Sequence, residues 1–559
     1  MSARTPDDIE SMIRSGRSFE GELLEGFDLR GRDLSGAKLA GAKLAAMRLQ
    51  NVDLSGADLT GAQILMSDLG GANLGGATLC DAVIPTSNLA GANLAGANLA
   101  GATLAGSDLS RASFANAELG GAKLDRCRAE AADFSGAALT KCSLSAAVLN
   151  GTTWAGATVA ETLMPMTELR DADLSGANLT KVLFYQADLR GTRLPKKLEA
   201  CIFDQAVWSG GDLAGADLQS AELDEMDLAG IDFENANLSK ASFTGADLRG
   251  ANLKGANLEW ANLMQCDLTG AQLEGAVLKS CNLQEAKLPG IDLSGQTLEM
   301  VLLAGADLKG ASFEGATLEM SVFDGADLTG ANLSKAYVHG STLTGAVIEG
   351  ISLEGTTLKS VSLDEVDLRL LRLQGLSLTF CTFRESQMDG MDLTGCDFSC
   401  SDFSKADLRN AKLTGSTLKM ANFQGAKLES ADLSLAMAKA AFFGEADLTR
   451  TDLTATMLRF STFTKADLTE TKLPGADLRE TILVEAKAPK ALFSNAKLNY
   501  SDLSHADLRE ADFTGADLSL ANLHAVEDEG TQFRRATTKR TKHTDPDRRK
   551  AESWSPPDS

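Results

Sequence analysis

The sequence is poor in histidine and has no long apolar run, and each shortage argues against a class of protein. Its longest apolar stretches are far too short to span a membrane, and no signal-peptide pattern opens the chain. We therefore expect a cytoplasmic protein with no membrane association. The 559 residues include only 4 histidines, and a lone histidine beside Asp is common in a chain this rich in Asp. General-base catalysis is therefore not indicated, and we expect no enzyme.

What the sequence does contain is a five-residue repeat, as in "GADLTGANLSKA". The central Leu or Phe, position i, follows a small residue at i−2, whereas i−1, i+1 and i+2 are mostly polar or Gly. The centres run from Leu24 to Leu194, restart one residue out of step at Phe203 and continue to Phe533. A period of five fits neither a helix nor an extended strand. It fits a chain that turns a corner every five residues, with Gly at i+2 easing the bend.

This pattern resembles the pentapeptide-repeat family, whose motif is A(D/N)LXX, over about residues 22 to 536. The resemblance implies an all-β fold, a right-handed quadrilateral β-helix in which four repeats form one coil of twenty residues. Successive coils would stack by backbone pairing into a solenoid, with residues i and i−2 inside. Such a repeat needs capped ends, because each terminal coil exposes an unpaired sheet edge.

The repeats divide the chain into segments. "TPDDIESMIRSG" has Thr5 as N-cap and Pro6 at the first helical position, which predicts a short amphipathic helix covering the first coil. "RLPKKLEACIF" carries the change of register and predicts a loop or kink. The predicted segments are the N-terminal cap helix and entry (1–21), a first repeat run (22–194), the register break (195–202), a second run (203–536) and a disordered polar tail (537–559).

The cysteines and glycines indicate no chemical site. Seven cysteines fall at the inward i−2 position, where a small apolar side chain is expected: Cys127, Cys142, Cys201, Cys266, Cys281, Cys381 and Cys396. No two of these are twenty residues apart, which disfavours disulfides or a zinc site. Cys80 and Cys400 face outward singly. Strings such as "GGANLGGA" lack the strand-to-helix context of a phosphate loop. We expect no catalytic residue, cofactor or metal.

The outward i+2 positions form four columns in the second run, and one of them is apolar. Together with two outward i−1 residues on the same edge, it defines the candidate contact strip: Trp260, Met300, Leu302, Met320, Val322, Phe380, Met420, Phe460 and Tyr500. One reading is that these side chains fold over the corner and shield their own backbone. The other is that they contact a partner protein or a second copy of the chain.

Two further patterns concern the interior. Phe383, Phe403, Phe423, Phe443 and Phe463 are centres twenty residues apart, so we expect their rings to stack in successive coils. Leu371 and Leu376 occupy the small i−2 slot, and bulk there should push the coil outward or alter a turn.

Three functions are consistent with these observations. The first is a non-enzymatic scaffold that binds other proteins, including a homodimer with a second copy. The second comes from the family resemblance: an acidic rod that mimics DNA, binds type II topoisomerase (DNA gyrase) and confers fluoroquinolone resistance. The net charge of −24 amounts to only about one negative charge per coil, which weakens that reading and also disfavours direct nucleic-acid binding. The third, an accessory role in bacterial type VI secretion, is implied by similar long repeats.

Overall fold

The computed structural model describes residues 5–208 and 211–554. The chain divides into two compact units, Met1–Lys287 and Leu288–Ser559. Unit 1 contains helix α1 and seven short strands: α1 Pro6–Arg14, β1 Leu23–Glu25, β2 Lys43–Ala45, β3 Gln63–Leu65, β4 Ala138–Thr140, β5 Thr158–Ala160, β6 Asn178–Thr180 and β7 Leu198–Glu199. Unit 2 contains five short strands and helix α2: β8 Thr297–Glu299, β9 Thr317–Glu319, β10 Tyr337–His339, β11 Thr357–Lys359, β12 Leu378–Thr379 and α2 Pro546–Glu552.

All strand pairing is parallel, and its register is twenty residues almost throughout. The sheets have the orders β1-β2-β3 and β4-β5-β6-β7 in unit 1 and β12-β11-β10-β9-β8 in unit 2. In β9 and β10, for example, Leu318 pairs with Val338. Within each unit, isolated bridges with the same spacing join successive coils outside the sheets, and the last of them joins Asn522 to Lys542. Each unit is therefore a parallel β-solenoid, as the period of five predicts, with four repeats per coil.

The alternation of small, polar and apolar residues places the core on the axis of each unit. Centres such as Leu308 and Leu318, together with the alanines two residues before them, are buried. The intervening residues face outward, because side chains alternate across a strand. The predicted stack of five phenylalanines is confirmed, with centroid separations of 4.9 Å from Phe383 to Phe403 and 4.8 Å from Phe443 to Phe463. The interior is thus filled by side chains.

The predicted N-terminal helix is confirmed as α1. The Thr5 side chain accepts from the Asp8 N–H, and the Asp8 carboxylate accepts from the Thr5 N–H, which completes a capping box. Ile9 and Ile13 are buried. Among the described residues, no helix has both the length and the apolarity that crossing a membrane requires.

At the register change near residue 195, where the sequence predicts a loop or kink, the structure has a shortened coil. Leu179 of β6 pairs with Leu198 of β7, so this coil has nineteen residues instead of twenty. Lys197 then pairs with Asp217, which restores the ordinary spacing. Because the missing residue is absorbed at one corner, the backbone ladder continues through the segment.

The C-terminal end also differs from the expectation of a disordered tail from residue 537. Thr537 and Lys542 are bridged to the coil before them, and α2 follows with Asp545 as its N-cap. The sequence reading missed this order because the tail is polar, whereas α2 is held by polar contacts rather than by apolar burial. The last five residues of the predicted tail, 555–559, lie outside the described residues.

Candidate functional site

The apolar column of the strip lies at the corners that follow the strands β8–β12 and the corresponding bridges of unit 2. At each corner the backbone N–H donates to a carbonyl in the next coil, as from Met320 to His339 (2.9 Å) and from Phe460 to Arg479 (3.2 Å). These backbone groups are therefore satisfied without any help from the side chains. The strip side chains are therefore not needed to close the turns.

The backbone at these corners is left-handed, which is unfavourable for large side chains. The φ angles are 55° at Met300, 50° at Met320, 59° at Phe380 and 67° at Phe460, and at other corners the same turn is held by glycine or by a polar residue such as Lys405, with 59°. A residue with a Cβ loses roughly 1–2 kcal/mol in this region. Because residues other than glycine occupy this turn at many corners, the strip differs from the other columns in the size and apolarity of its side chains.

The structure leaves most of the predicted strip open to solvent. The exposed fraction ranges from 42% to 64% for six members: Trp260 in unit 1 and Met320, Phe380, Met420, Phe460 and Tyr500 in unit 2. Met300, Leu302 and Val322 are half-buried, and the last two are bridged to each other in adjacent coils. Exposure on this scale favours the interpretation of a contact surface over that of a cover for the backbone.

Charged residues border the strip in a pattern that the sequence reading missed, because it divided only the i+2 positions into columns. In unit 2 the i+1 column is acidic at Glu299 and Glu319. Beyond Glu319 the column has a first basic residue at Lys359, and farther along it is basic in four consecutive coils: Lys419, Lys439, Arg459 and Arg479. The strip therefore has an acidic end and a basic end. The twenty-residue spacing that revealed the apolar column would also have revealed this one.

Two apolar residues beside the basic end were also missed. Met437 and Met457, twenty residues apart at outward i−1 positions, are exposed. Phe442 and Ile482, on the other side of the corner, are exposed as well. The apolar surface is consequently widest between about residues 437 and 482.

Two cationic side chains lie close to the ring of Phe460. The Arg459 guanidinium lies 4.6 Å and the Lys439 ammonium 5.5 Å from the centroid of its ring. Such cation–π contacts hold the ring in place. Arg459 also pairs with Glu480 at 2.5 Å. Within the described chain, neither Lys439 nor Glu319 forms an ion pair.

A cleft opens where Leu371 and Leu376 replace small residues, away from the strip. Both side chains are half-buried, and in the described chain no bridge joins residue 352 to 372 or 372 to 392, although Asn332 still pairs with Ser352. The expectation that bulk in this slot disturbs the coil is thus confirmed. The cleft has a volume of about 470 Å³ and is lined mainly by Gly350, Ile351, Leu353, Leu370, Leu371 and Leu376.

A cluster at the C-terminal end brings together His505, His524 and Glu552, with potential ligand atoms within 4.8 Å of one another. The Nε2 atom of His524 lies 3.0 Å from Oε2 of Glu552, and that of His505 lies 3.3 Å away. The Nδ1 atom of His524 accepts from the Asp545 N–H at 3.1 Å, so the Nε2 atom carries the proton.

This hydrogen-bond polarity is opposite to that of a metal ligand, whose second ring nitrogen donates to an acceptor. The cluster instead attaches α2 to the last coils. His524 was not singled out from the sequence, because its partners lie up to 28 residues away in a segment without repeats.

The cysteines lie where the sequence predicts them, seven inside the core and two nearer the surface. Cys127, Cys266 and Cys396 are buried with the other four predicted inward cysteines, while Cys80 and Cys400 are half-buried single thiols. Buried thiols donate to backbone carbonyls, as from Cys266 to Phe243 and from Cys396 to Leu373. These residues act as small core side chains.

The sequence matches the family model for pentapeptide repeats (8 copies) over most of its length, at residues 37–76, 67–99, 92–128, 167–195, 216–255, 227–265, 256–295, 306–345, 331–375, 377–415, 418–454, 446–483, 461–489 and 490–524. The chain belongs to the pentapeptide-repeat family. The five-residue motif read from the sequence is therefore the repeat of this family, and the cap helix and the C-terminal cluster are additions to it. No curated protein matches the chain.

Several solved pentapeptide-repeat structures resemble this member of the family. HetL, involved in heterocyst differentiation regulation in the cyanobacterium Nostoc sp. strain PCC 7120, is 27% identical; the match covers 50% of this chain and 97% of HetL, with a TM-score of 0.19. Full-length QnrB1, a plasmid-mediated fluoroquinolone resistance protein, is 22% identical over 34% of this chain and 96% of its own, with a TM-score of 0.19. A thylakoid-lumen protein of Arabidopsis thaliana is 27% identical over 18% and 67%, with a TM-score of 0.10.

Proposed function

We propose that this pentapeptide-repeat protein is a non-enzymatic scaffold that binds another protein through the candidate contact strip. One observation carries the proposal: large apolar side chains occupy one column of left-handed corners, where the other columns hold mostly glycine or polar residues, and they remain exposed there. Met320, Phe380 and Phe460 are the clearest cases in unit 2. Contiguous exposed apolar surface of this kind is typical of protein interfaces.

Burial by a partner would give these side chains a favourable energy that the isolated chain lacks. Transfer of one such side chain from water to an interface contributes about 1.5–3 kcal/mol. That gain exceeds the roughly 1–2 kcal/mol lost at a left-handed corner. The basic residues around Phe460 would add specificity, since aromatic and Arg side chains are enriched where binding energy concentrates.

The non-enzymatic part of the proposal rests on how the interior and the polar cluster are built. Side chains such as Phe423 and Leu318 fill the axis of unit 2. The polar groups of His524 and Glu552 are engaged in holding α2. Both features have a structural role that needs no substrate.

Capture of proteins from the native host tests the proposal. The variant carries Met320→Lys, Phe380→Lys and Phe460→Lys. The matched control carries Val347→Lys, Leu435→Lys and Leu492→Lys, which change exposed apolar residues outside the strip by the same charge. We expect the variant to lose partners that the wild type and the control both retain. Equal capture by all three proteins would contradict the proposal.

The identities of the captured proteins also test in which cellular process the scaffold takes part. The family resemblance suggests type VI secretion, and secretion components retained by the wild type but lost by the strip variant would support that setting. A set of partners without such components would assign the scaffold to another process.

The net charge of −24 favours a second candidate, a DNA mimic that binds type II topoisomerase. Ion pairs between neighbouring residues weaken this second candidate. Arg409 and Arg509 pair with Asp407 and Asp507 at 2.6 Å, and each guanidinium holds the pKa of its partner carboxyl below the ordinary range. A mimic of the phosphate backbone needs unpaired negative charge along its surface. The strip therefore supports protein binding better than the acidic residues support mimicry.

A further inference from the structure

We propose that the strip of unit 2 binds a second copy of this chain, with the two copies running in opposite directions about a two-fold axis at Phe380. The inference rests on the proposed function and identifies the partner. It follows from a feature of the strip described above: its acidic and basic ends lie at similar distances on either side of Phe380. Such a surface is complementary to itself after a two-fold rotation.

The charged residues of the i+1 column in one copy are complementary to those of the same column in the other copy. An axis that passes through residue 380 along the strand direction reverses the order of the coils. It places Glu299 of one copy opposite Arg459 of the other, and Glu319 opposite Lys439. Because Lys439 and Glu319 form no ion pair in the described chain, both charges are available to the second copy. The two-fold axis repeats the pair of Glu319 with Lys439, so two new ion pairs form.

The side chains of the apolar column are also complementary in size about this axis. Met320 of one copy faces Ala440 of the other, and Gly340 faces Met420. A large residue thus meets a small one in each case, as interdigitation requires. Met300 faces Phe460, where the methionine sulfur can pack against the ring. Phe380 meets its own counterpart on the axis.

The solenoid keeps these pairs in register. Every coil in this stretch contains twenty residues, as the pairing of Leu298 with Leu318 and of Leu318 with Val338 illustrates. Two identical ladders with identical spacing stay aligned along their whole contact. At the usual distance between strands, the stretch from Met300 to Phe460 is about 40 Å long. This length distinguishes the strip from an isolated apolar patch.

Other occupants are less well matched. An acidic peptide would suit the basic end around Lys419 and Arg459 but would be repelled at Glu299 and Glu319. A nucleic acid would meet the same repulsion. Only a partner whose charge reverses along its length suits the entire strip, and the chain itself provides one.

Sedimentation of the purified full chain tests this inference. We expect a concentration-dependent dimer that weakens with salt, because its ends are held by ion pairs. Lys439→Glu should raise the dissociation constant about tenfold or more. Adding Glu319→Lys to that variant should restore the dimer. Lys412→Glu, a charge reversal outside the strip, is the matched control and should leave the dimer unchanged.

A thiol pair across the axis supplies a second readout. In a Cys80→Ser, Cys400→Ser background, Phe380→Cys should form an interchain disulfide under mild oxidation, whereas Leu435→Cys should not. A monomer at every concentration would overturn the inference, and so would a dimer that the charge reversals do not affect or restore. A monomer that still loses host partners in the strip variant would leave the proposed function standing, which separates the two outcomes.

Discussion

The backbone N–H of Met320 donates to the carbonyl of His339 in the next coil at 2.9 Å, while the Met320 side chain remains exposed. The corner is therefore closed by its backbone and does not depend on the methionine. This separation of fold from surface applies along the strip. It means that the strip can be altered without loss of the solenoid.

Replacement of Met320, Phe380 and Phe460 by Lys should accordingly leave the protein folded, with a change in unfolding free energy below about 1 kcal/mol for each substitution. Phe423→Lys is the contrasting variant. Its ring is fully buried between those of Phe403 and Phe443 at 4.9 Å, so a charge there should cost about 4 kcal/mol or more. Circular dichroism during thermal unfolding compares the two. Loss of structure in the triple variant would show that the inside and outside faces are wrongly assigned.

Leu371→Ala together with Leu376→Ala should stabilise unit 2. The two leucines replace small residues, and the coils separate beside them. Relief of overpacking of this kind contributes about 1–3 kcal/mol. The expected result is a higher melting temperature and slower amide hydrogen exchange around Leu353. Leu373→Ala, at a buried centre in the same coil, should destabilise instead. A lower melting temperature in the double variant would contradict this account of the cleft.

Thiol labelling should separate the cysteines into two groups. Burial raises the pKa of the Cys127 and Cys266 thiols to about 12 and that of Cys381 to about 11, so these groups remain protonated at neutral pH. Cys80 and Cys400 are only half-buried. Alkylation of the native protein, followed by mass spectrometry, should modify these two alone, since the thiolate is the reactive form. Denaturation should expose the remainder. Rapid native labelling of Cys266 would be inconsistent with the core described above.

The attachment of α2 should weaken in acid. Hydrogen bonds from His524 and from Arg548 hold the pKa of Glu552 below its ordinary value. A carboxyl with a lowered pKa stabilises the folded arrangement above its ordinary pKa, and that contribution disappears as the pH falls through the lowered value. Below about pH 4, α2 should therefore detach and expose His524, which hydroxyl-radical footprinting detects. Glu552→Gln should expose His524 already at pH 7. Unchanged protection of His524 at pH 3 would contradict this prediction.

DNA supercoiling by gyrase should be unaffected by micromolar amounts of the protein. The carboxylates of Asp407 and Asp507 are paired with arginines, which leaves less unpaired negative charge for mimicry. A supercoiling assay at low and moderate salt provides the measurement. Inhibition that weakens as salt increases would favour the DNA-mimic function over the scaffold.

The solenoid could be predicted because one short pattern repeats and each copy imposes the same local geometry. The inward position of Leu318, the stacking of Phe403 on Phe423 and the cap formed by Thr5 all follow from period and spacing. The disturbance at Leu371 was also foreseen, since a large side chain in a small slot has a direct steric consequence.

Features that depend on side-chain conformation or on the non-repeating end were not predicted. The placement of Lys439 and Arg459 over Phe460 depends on how two flexible side chains settle. The docking of α2 depends on Glu552 reaching His524, and no pattern links those two positions. Near residue 195, where a loop or kink was expected, β7 continues the ladder, because a coil can lose one residue at a corner while its backbone pairing persists.

Photocrosslinking in the native host tests the central claim most directly. A photoreactive phenylalanine analogue at position 380 probes the strip, and the same analogue at position 435 probes an exposed apolar corner outside it. The account predicts strong protein crosslinks from position 380 and few from position 435. The absence of crosslinks at position 380, or equal yields at the two positions, would contradict the claim that the strip is a protein-binding surface.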